Sequence, residues 1–104
     1  NISADGKVYL VDKEDVVYLK ADKSYTTVFL TNERRIVATK TLKEVQKKFA
    51  FPEFYRVHNS YVINLNCVTE YNRGSSELTL IDGTVVSVSR RKKSELVEML
   101  QLDK

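Results

Sequence analysis

Residues 77–88 read Glu-Leu-Thr-Leu-Ile-Asp-Gly-Thr-Val-Val-Ser-Val, two apolar runs joined by Asp82-Gly83. This is the strongest hairpin signal in the chain, and Asp-Gly predicts a type I′ turn with positive φ at both central residues. A hairpin commits the chain to antiparallel pairing, and a lone pair of strands is marginal in water. The chain must therefore supply more strands, and it does. Lys7–Val11 follows the Asp5-Gly6 turn signal. Asp15–Lys20 holds the run Val16-Val17-Tyr18-Leu19, suited to a strand covered on both faces. Ser24–Thr31 is rich in β-branched and aromatic residues, with Thr26, Val28 and Leu30 on one face and Tyr25, Thr27 and Phe29 on the other. Thr31–Arg34 is a turn, and Arg35–Thr39 returns as its hairpin partner. Phe54–Asn66 is strand-like at both ends and polar at His58-Asn59-Ser60. Val68–Tyr71 is a further strand, and Asn72–Ser76 a turn.

Two helices complete the reading. Thr41-Leu42-Lys43-Glu44 is a capping box, followed by the stripe Leu42, Val45, Phe49 and closed by Pro52. Ser89–Leu102 is predicted helical with Ser89 as N-cap, and Leu96, Val97, Met99 and Leu100 gather on one side. The expected class is mostly β (α+β), antiparallel strands with two short helices. At 104 residues the chain is one domain. It shows no repeat and no apolar run near the ~20 residues a bilayer-spanning helix needs. Because it begins without Met, it is read as residues 1–104 of a longer protein.

Composition argues against catalysis and metal binding. One His and one Cys cannot supply a tetrahedral N/S zinc site, and no CxxC, HExxH, nucleophile elbow or Gly-rich phosphate loop is present. No enzyme activity and no cofactor are expected. The single Cys67 excludes an internal disulfide and suits a reducing compartment, so a cytoplasmic location is expected. The charge balance, 17 basic against 14 acidic residues, is only weakly positive. Its distribution is more telling. Arg90-Arg91-Lys92-Lys93 fall in the first turn of the last predicted helix, where the helix dipole disfavours cations by about 0.3–1 kcal/mol each. Such an arrangement suits a docking anion; a solvated basic patch is the plainer account. His58-Asn59-Ser60 interrupts an apolar stretch and carries groups able to contact bases and phosphates, although a structural turn explains it equally. Lys20–Tyr25 is a polar loop with two lysines and an aromatic, which an ordinary solvated hairpin loop also accounts for.

These pieces together resemble the LytTR family. Phe54-Tyr55-Arg56-Val57-His58-Asn59-Ser60-Tyr61-Val62-Ile63-Asn64 is similar to its central signature, and Val86-Ser87-Val88-Ser89-Arg90-Arg91 to its second. Asp15–Ala21 and Thr41–Glu44 fit the same order. The resemblance implies an elongated, mostly antiparallel β module. It implies a bacterial output domain of a two-component response regulator, with a receiver domain before it. Such a domain binds repeated promoter sites on double-stranded DNA through loops, and a dimer on DNA is one arrangement. Carried over residue by residue, base-proximal contacts fall on Asn59, Arg90 and Tyr25, where some members have His at the third position. His58, Lys23, Arg91, Lys92 and Lys93 are the expected accompanying contacts. The alternative from another class is a protein-interaction module that takes a partner strand at an edge such as Lys7–Val11. RNA binding lacks an RNP-like pattern to support it.

Overall fold

The computed structural model describes residues 2–4 and 6–100. Strand β3 (Val16–Asp22) lies at the centre of a five-stranded antiparallel sheet of order β5-β4-β3-β7-β6. The other members are β4 (Tyr25–Leu30), β5 (Arg35–Ala38), β6 (Phe54–His58) and β7 (Tyr61–Asn64). A second sheet of order β10-β9-β8 comprises β8 (Val68–Asn72), β9 (Glu77–Leu80) and β10 (Val85–Ser87). A small pair, β1 (Ile2–Ala4) and β2 (Lys7–Tyr9), stands beside β5. Helices α1 (Leu42–Gln46) and α2 (Lys93–Met99) are both short. The molecule measures 47 × 25 × 21 Å, elongated as expected.

The chain places apolar residues on both faces of the larger sheet, and each face builds its own core. Leu19, Val28, Leu30, Ile36 and Val62 pack on one side with Leu42, Val45 and Phe49 of the α1 segment. Val17, Tyr18, Val57 and Ile63 pack on the other with Leu78, Leu80 and Val86 of the second sheet and Leu96 of α2. Val16-Val17-Tyr18-Leu19 is buried throughout, as the apolar run predicts. A bulge makes this sharing uneven. The β3–β4 register shifts between Val16 and Tyr18. Val16 and Leu19 therefore face one core while the consecutive Val17 and Tyr18 face the other. Asn64, buried on the neighbouring strand, donates from Nδ2 to the Val16 carbonyl at 2.9 Å. Its Oδ1 accepts from the Asn66 N–H at 3.0 Å and so holds the turn that leads toward the second sheet.

Several local expectations are met, and others are revised. The capping box forms: the Glu44 N–H donates to Thr41 Oγ1 at 3.3 Å, and the Thr41 N–H donates to Glu44 Oε1 at 3.2 Å. The helix it opens is shorter than the stripe predicts, because Lys47–Phe49 tightens into a 3₁₀ turn, yet Phe49 remains buried. The Asp82-Gly83 turn is not type I′. Gly83 has φ 88°, Asp82 is not among the positive-φ residues, and the Gly83 N–H donates to the Leu80 carbonyl. Pairing of Thr79 with Val85 leaves a longer loop that needs only one left-handed residue. Strand β1 has no counterpart in the sequence reading. Lys7–Val11 pairs only over Lys7–Tyr9, and Asp5 of its turn signal lies outside the described residues.

Replacing Asn64 with Leu, of similar volume, leaves the Val16 carbonyl only the weak Cys67 S–H contact at 3.8 Å and strands the Asn66 N–H. We expect Asn64→Leu to lower unfolding free energy by about 1–3 kcal/mol. A urea midpoint equal to that of the parent would show that this bond adds nothing.

Candidate nucleic-acid interface

Three loops meet at one end of the larger sheet, and the strand order brings them there. Strands β3 and β4 join through Lys23-Ser24, where Lys23 takes φ 58°. Strands β6 and β7 join through Asn59-Ser60. Because β3 pairs with β7 up to Lys20 and Tyr61, the two hairpin tips lie side by side. The Ala21 N–H donates to the Ser60 carbonyl at 2.8 Å, which ties the tips together. The third loop follows β10. The Ser89 N–H donates to the carbonyl of Val57 at 2.8 Å, on the free edge of β6. The register of β6 shifts at Val57, and such a bulge re-aims the strand end.

The His58-Asn59-Ser60 turn is held internally. The Ser60 N–H donates to His58 Nδ1 at 3.1 Å. With Nδ1 accepting, neutral His58 carries its proton on Nε2. The ring meets Tyr61 edge-on at 5.8 Å between centroids. Arg56 donates from Nη2 to the Asn59 carbonyl at 2.7 Å, while Asn59 itself is exposed. Asn59 is therefore presented on a braced turn.

The basic run adopts a conformation other than the predicted one. Arg90–Lys92 is a 3₁₀ turn, and α2 begins only at Lys93 and spans seven residues. The Ser89 side chain caps nothing; its carbonyl accepts from the Lys92 N–H at 3.0 Å. Dipole repulsion on these cations is correspondingly small, since α2 is short and three of the four precede it. The reason is packing: Val88 and Leu96 are both buried in the second core, and the chain between them must bend over Tyr55. Tyr55 donates to the Lys92 carbonyl at 3.5 Å, and the Lys92 ammonium lies 5.5 Å from the Tyr55 ring centroid. Burial pushes the Tyr55 hydroxyl well above the usual tyrosine range, and the Glu95 carboxylate adds to the effect. The predicted continuation of the helix through Gln101 and Leu102 lies outside the described residues.

A groove of about 320 Å³ separates the second and third loops. Arg56, His58, Asn59, Ser89, Arg91 and Lys92 line it, three permanent cations and no carboxylate. Arg90 is exposed on the turn beside it, and Tyr25, 47% exposed, opens β4 beyond Lys23. Lys93 separates from this group: it lines a different groove with Tyr71, Arg73 and Val97. Two of the lining residues, Arg56 and Ser89, were not among the expected contacts. Both are members of the two signatures, and Arg56 flanks the polar interruption, but their place in the groove depends on a turn and a strand edge that spacing does not reveal. The edge strand β2 lies apart from all of this. Leu10, 82% exposed, borders a groove with Thr31, Asn32 and Arg34 at the opposite end of β4. Among the described residues no cluster of three or more His, Cys, Asp or Glu could hold a metal ion, and no helix is long and apolar enough to cross a membrane.

Comparison with known proteins decides the family. The sequence profile described as the LytTr DNA-binding domain matches residues 6–101. The chain belongs to the LytTR family of DNA-binding domains. Its fold matches the solved LytTr DNA-binding domain of a Bacillus cereus protein titled a methyl-accepting/DNA response regulator. The TM-score is 0.76 and the identity 24%, over 95% of this chain and 93% of that one. Among full-length relatives, the sensory transduction protein LytT of Bacillus subtilis is 27% identical over 97% of this chain and 43% of its own length. LytT of Bacillus anthracis is 33% identical, over 91% of this chain and 39% of its own. The heme-containing CO-sensing transcriptional regulator RcoM 2 of Paraburkholderia xenovorans is 28% identical, over 90% and 36%. This LytTR domain thus spans about two fifths of the length of those relatives.

A pH dependence follows from the tyrosines. Burial raises the hydroxyls of both Tyr18 and Tyr55 above the value of 10.0 they take when unfolded. The unfolded chain therefore gives up these protons first, and stability falls as the pH rises through that value. We expect Tyr55→Phe to lose less stability than the parent between about pH 9 and about pH 11. Parallel losses in urea titrations of the two proteins would remove Tyr55 as a source.

Proposed function

We propose that this LytTR domain recognises specific double-stranded DNA through its three loops and serves as the output domain of a transcriptional response regulator. The observation that carries the reading is the groove between the Asn59 turn and the Arg90–Lys92 turn, basic and lined by no carboxylate, beside the hairpin tips that the Ala21–Ser60 bond ties together. Arg90 offers a bidentate fork suited to guanine O6 and N7, and Asn59 a side-chain amide suited to adenine. Tyr25 stands near Lys23 at the β3–β4 tip. Lys23, Arg91 and Lys92 neutralise backbone phosphates and set register, and His58 offers Nε2–H to the same strand. Lys93, on the far side of the turn, contributes by charge alone. Loops spread along one end suit a bent duplex with repeated half-sites, bound by two copies.

The relatives' greater length supports a further domain in the full-length protein, which we take to be a regulatory domain of the receiver type; we take the setting to be cytoplasmic, as for a DNA-binding domain that acts on promoters. Their names include a CO sensor, so the regulatory half varies in kind. One observation favours a second reading. The free edge of β2, with Val8 61% exposed, and the adjoining Leu10, 82% exposed, suit strand addition by a protein partner.

Arg90→Ala is expected to cost about 1–3 kcal/mol at a cognate site and to relax selection at one base position. Selection of bound sites from random DNA, followed by titration of parent and variant, reads both effects. Equal affinity and equal selectivity would remove Arg90 from the contacts. Lys92→Ala is expected to weaken cognate and scrambled sites alike and to reduce the slope of log K against log salt by about 1. A parent whose DNA binding is absent or indifferent to salt would instead favour the protein-partner reading.

A further inference from the structure

We propose that Arg56 is both the brace of the Asn59 turn and a direct ligand of a DNA backbone phosphate held in the adjoining groove. The inference rests on the DNA-binding reading above and adds to it a residue that couples base contact to phosphate contact.

The geometry supplies two halves of the argument. Arg56 is the third residue of β6, half-buried at the base of the hairpin tip. Its Nη2 donates to the Asn59 carbonyl at 2.7 Å, and among the described residues that is its only hydrogen bond or ion pair. A guanidinium carries five N–H donors in a rigid planar fork. One donor closes the turn, and Arg56 also lines the groove that Arg91 and Lys92 line from the other loop. The Arg56–Asn59 bond is solvent-exposed, so the remaining donors of the guanidinium are open to an incoming anion. No acidic side chain lines this groove. A phosphodiester oxygen fits the need: it accepts from planar N–H pairs, carries one negative charge, and runs continuously past both loops.

The neighbouring residue strengthens the case. Tyr55 and Arg56 project from opposite faces of one strand. Tyr55 carries the carbonyl of Lys92 on its hydroxyl, and Arg56 carries the carbonyl of Asn59. The Ser89 N–H bonds the carbonyl of the next residue, Val57. Three successive residues of β6 therefore set the distance between the Asn59 turn and the basic turn. A phosphate bound across that gap would read the distance, and Arg56 would hold Asn59 in place while gripping it. A lysine at this position keeps the charge but lacks the fork, so it can serve the phosphate without bracing the turn.

The test compares parent, Arg56→Gln and Arg56→Lys against a site selected from random DNA and a scrambled duplex, across a salt series. Arg56→Gln is expected to reduce the salt slope by about 0.9, equivalent to roughly eightfold weaker binding at about 0.1 M salt relative to 1 M, and to lower the cognate-to-scrambled ratio. Arg56→Lys is expected to restore the slope and not the ratio. In the free proteins, amide shifts of Asn59 and Ser60 should move in both variants, which reports the loss of the brace independently of DNA. An unchanged slope in Arg56→Gln overturns the phosphate role. An unchanged ratio with unmoved amide shifts overturns the brace. If the groove instead serves free phosphate, inorganic phosphate alone will shift the Arg56 Nε–H signal of the parent as far as the duplex does, and that too overturns the proposal. A parent that selects no DNA at all overturns the underlying reading, which is distinguishable because it does not depend on any Arg56 variant.

Discussion

One buried hydrogen bond organises the module, that from Asn64 Nδ2 to the Val16 carbonyl. Strand β3 is flanked by strands on both edges and buried from Val16 to Leu19, so the backbone groups of that stretch need internal partners. The bulge at Val16-Val17 lets one strand feed two cores, but it breaks the ladder at that point. On the opposite edge of β3 the paired residues end at Tyr18 and Ile63, and Asn64 of β7 gives the Val16 carbonyl beyond them its partner. Its other amide atom turns the chain toward β8 and so toward the second sheet. A single polar side chain thereby links the division of the two cores to the connection between the two sheets.

The placement of the loops follows from this arrangement. With β3 fixed between β4 and β7, the Lys23 and Asn59 tips must emerge together. With the second sheet packed on the Val17–Tyr18 side, the chain leaving β10 must cross the edge of β6, where Val57 receives it. The sheet joins the separate loops into one surface anchored on strands. The net charge of the chain is a poor guide to that surface. What matters is that Arg56, Arg91 and Lys92 share a groove with no carboxylate, so their fields add rather than cancel.

Much of the architecture was legible because it is local. Alternation and β-branching mark β4 and β5, the capping box marks the start of α1, and all are where the pattern puts them. The two signatures also identify the family, and the profile match confirms it. The misses share a cause. Strand β1 is short and gains its partner from β2. The Asp82-Gly83 turn takes a longer loop because the β9–β10 register, set by core packing of Leu78, Leu80 and Val86, overrides the local dipeptide preference. The basic run was read as a helical first turn; burial of Val88 and Leu96 on either side draws it into a 3₁₀ turn instead.

The sequence by itself determined an antiparallel β module, its family, and which residue types stand at three polar interruptions. Those are properties of period, propensity and motif, each contained within a dozen neighbouring residues. Only the tertiary structure decided that the interruptions meet, that Lys93 leaves the group, and that Arg56 joins it. The physical reason is that strand pairing and bulges set distances between residues far apart in the chain. Val57 and Ser89 are 32 positions apart in the numbering, yet they are joined by one backbone bond of 2.8 Å.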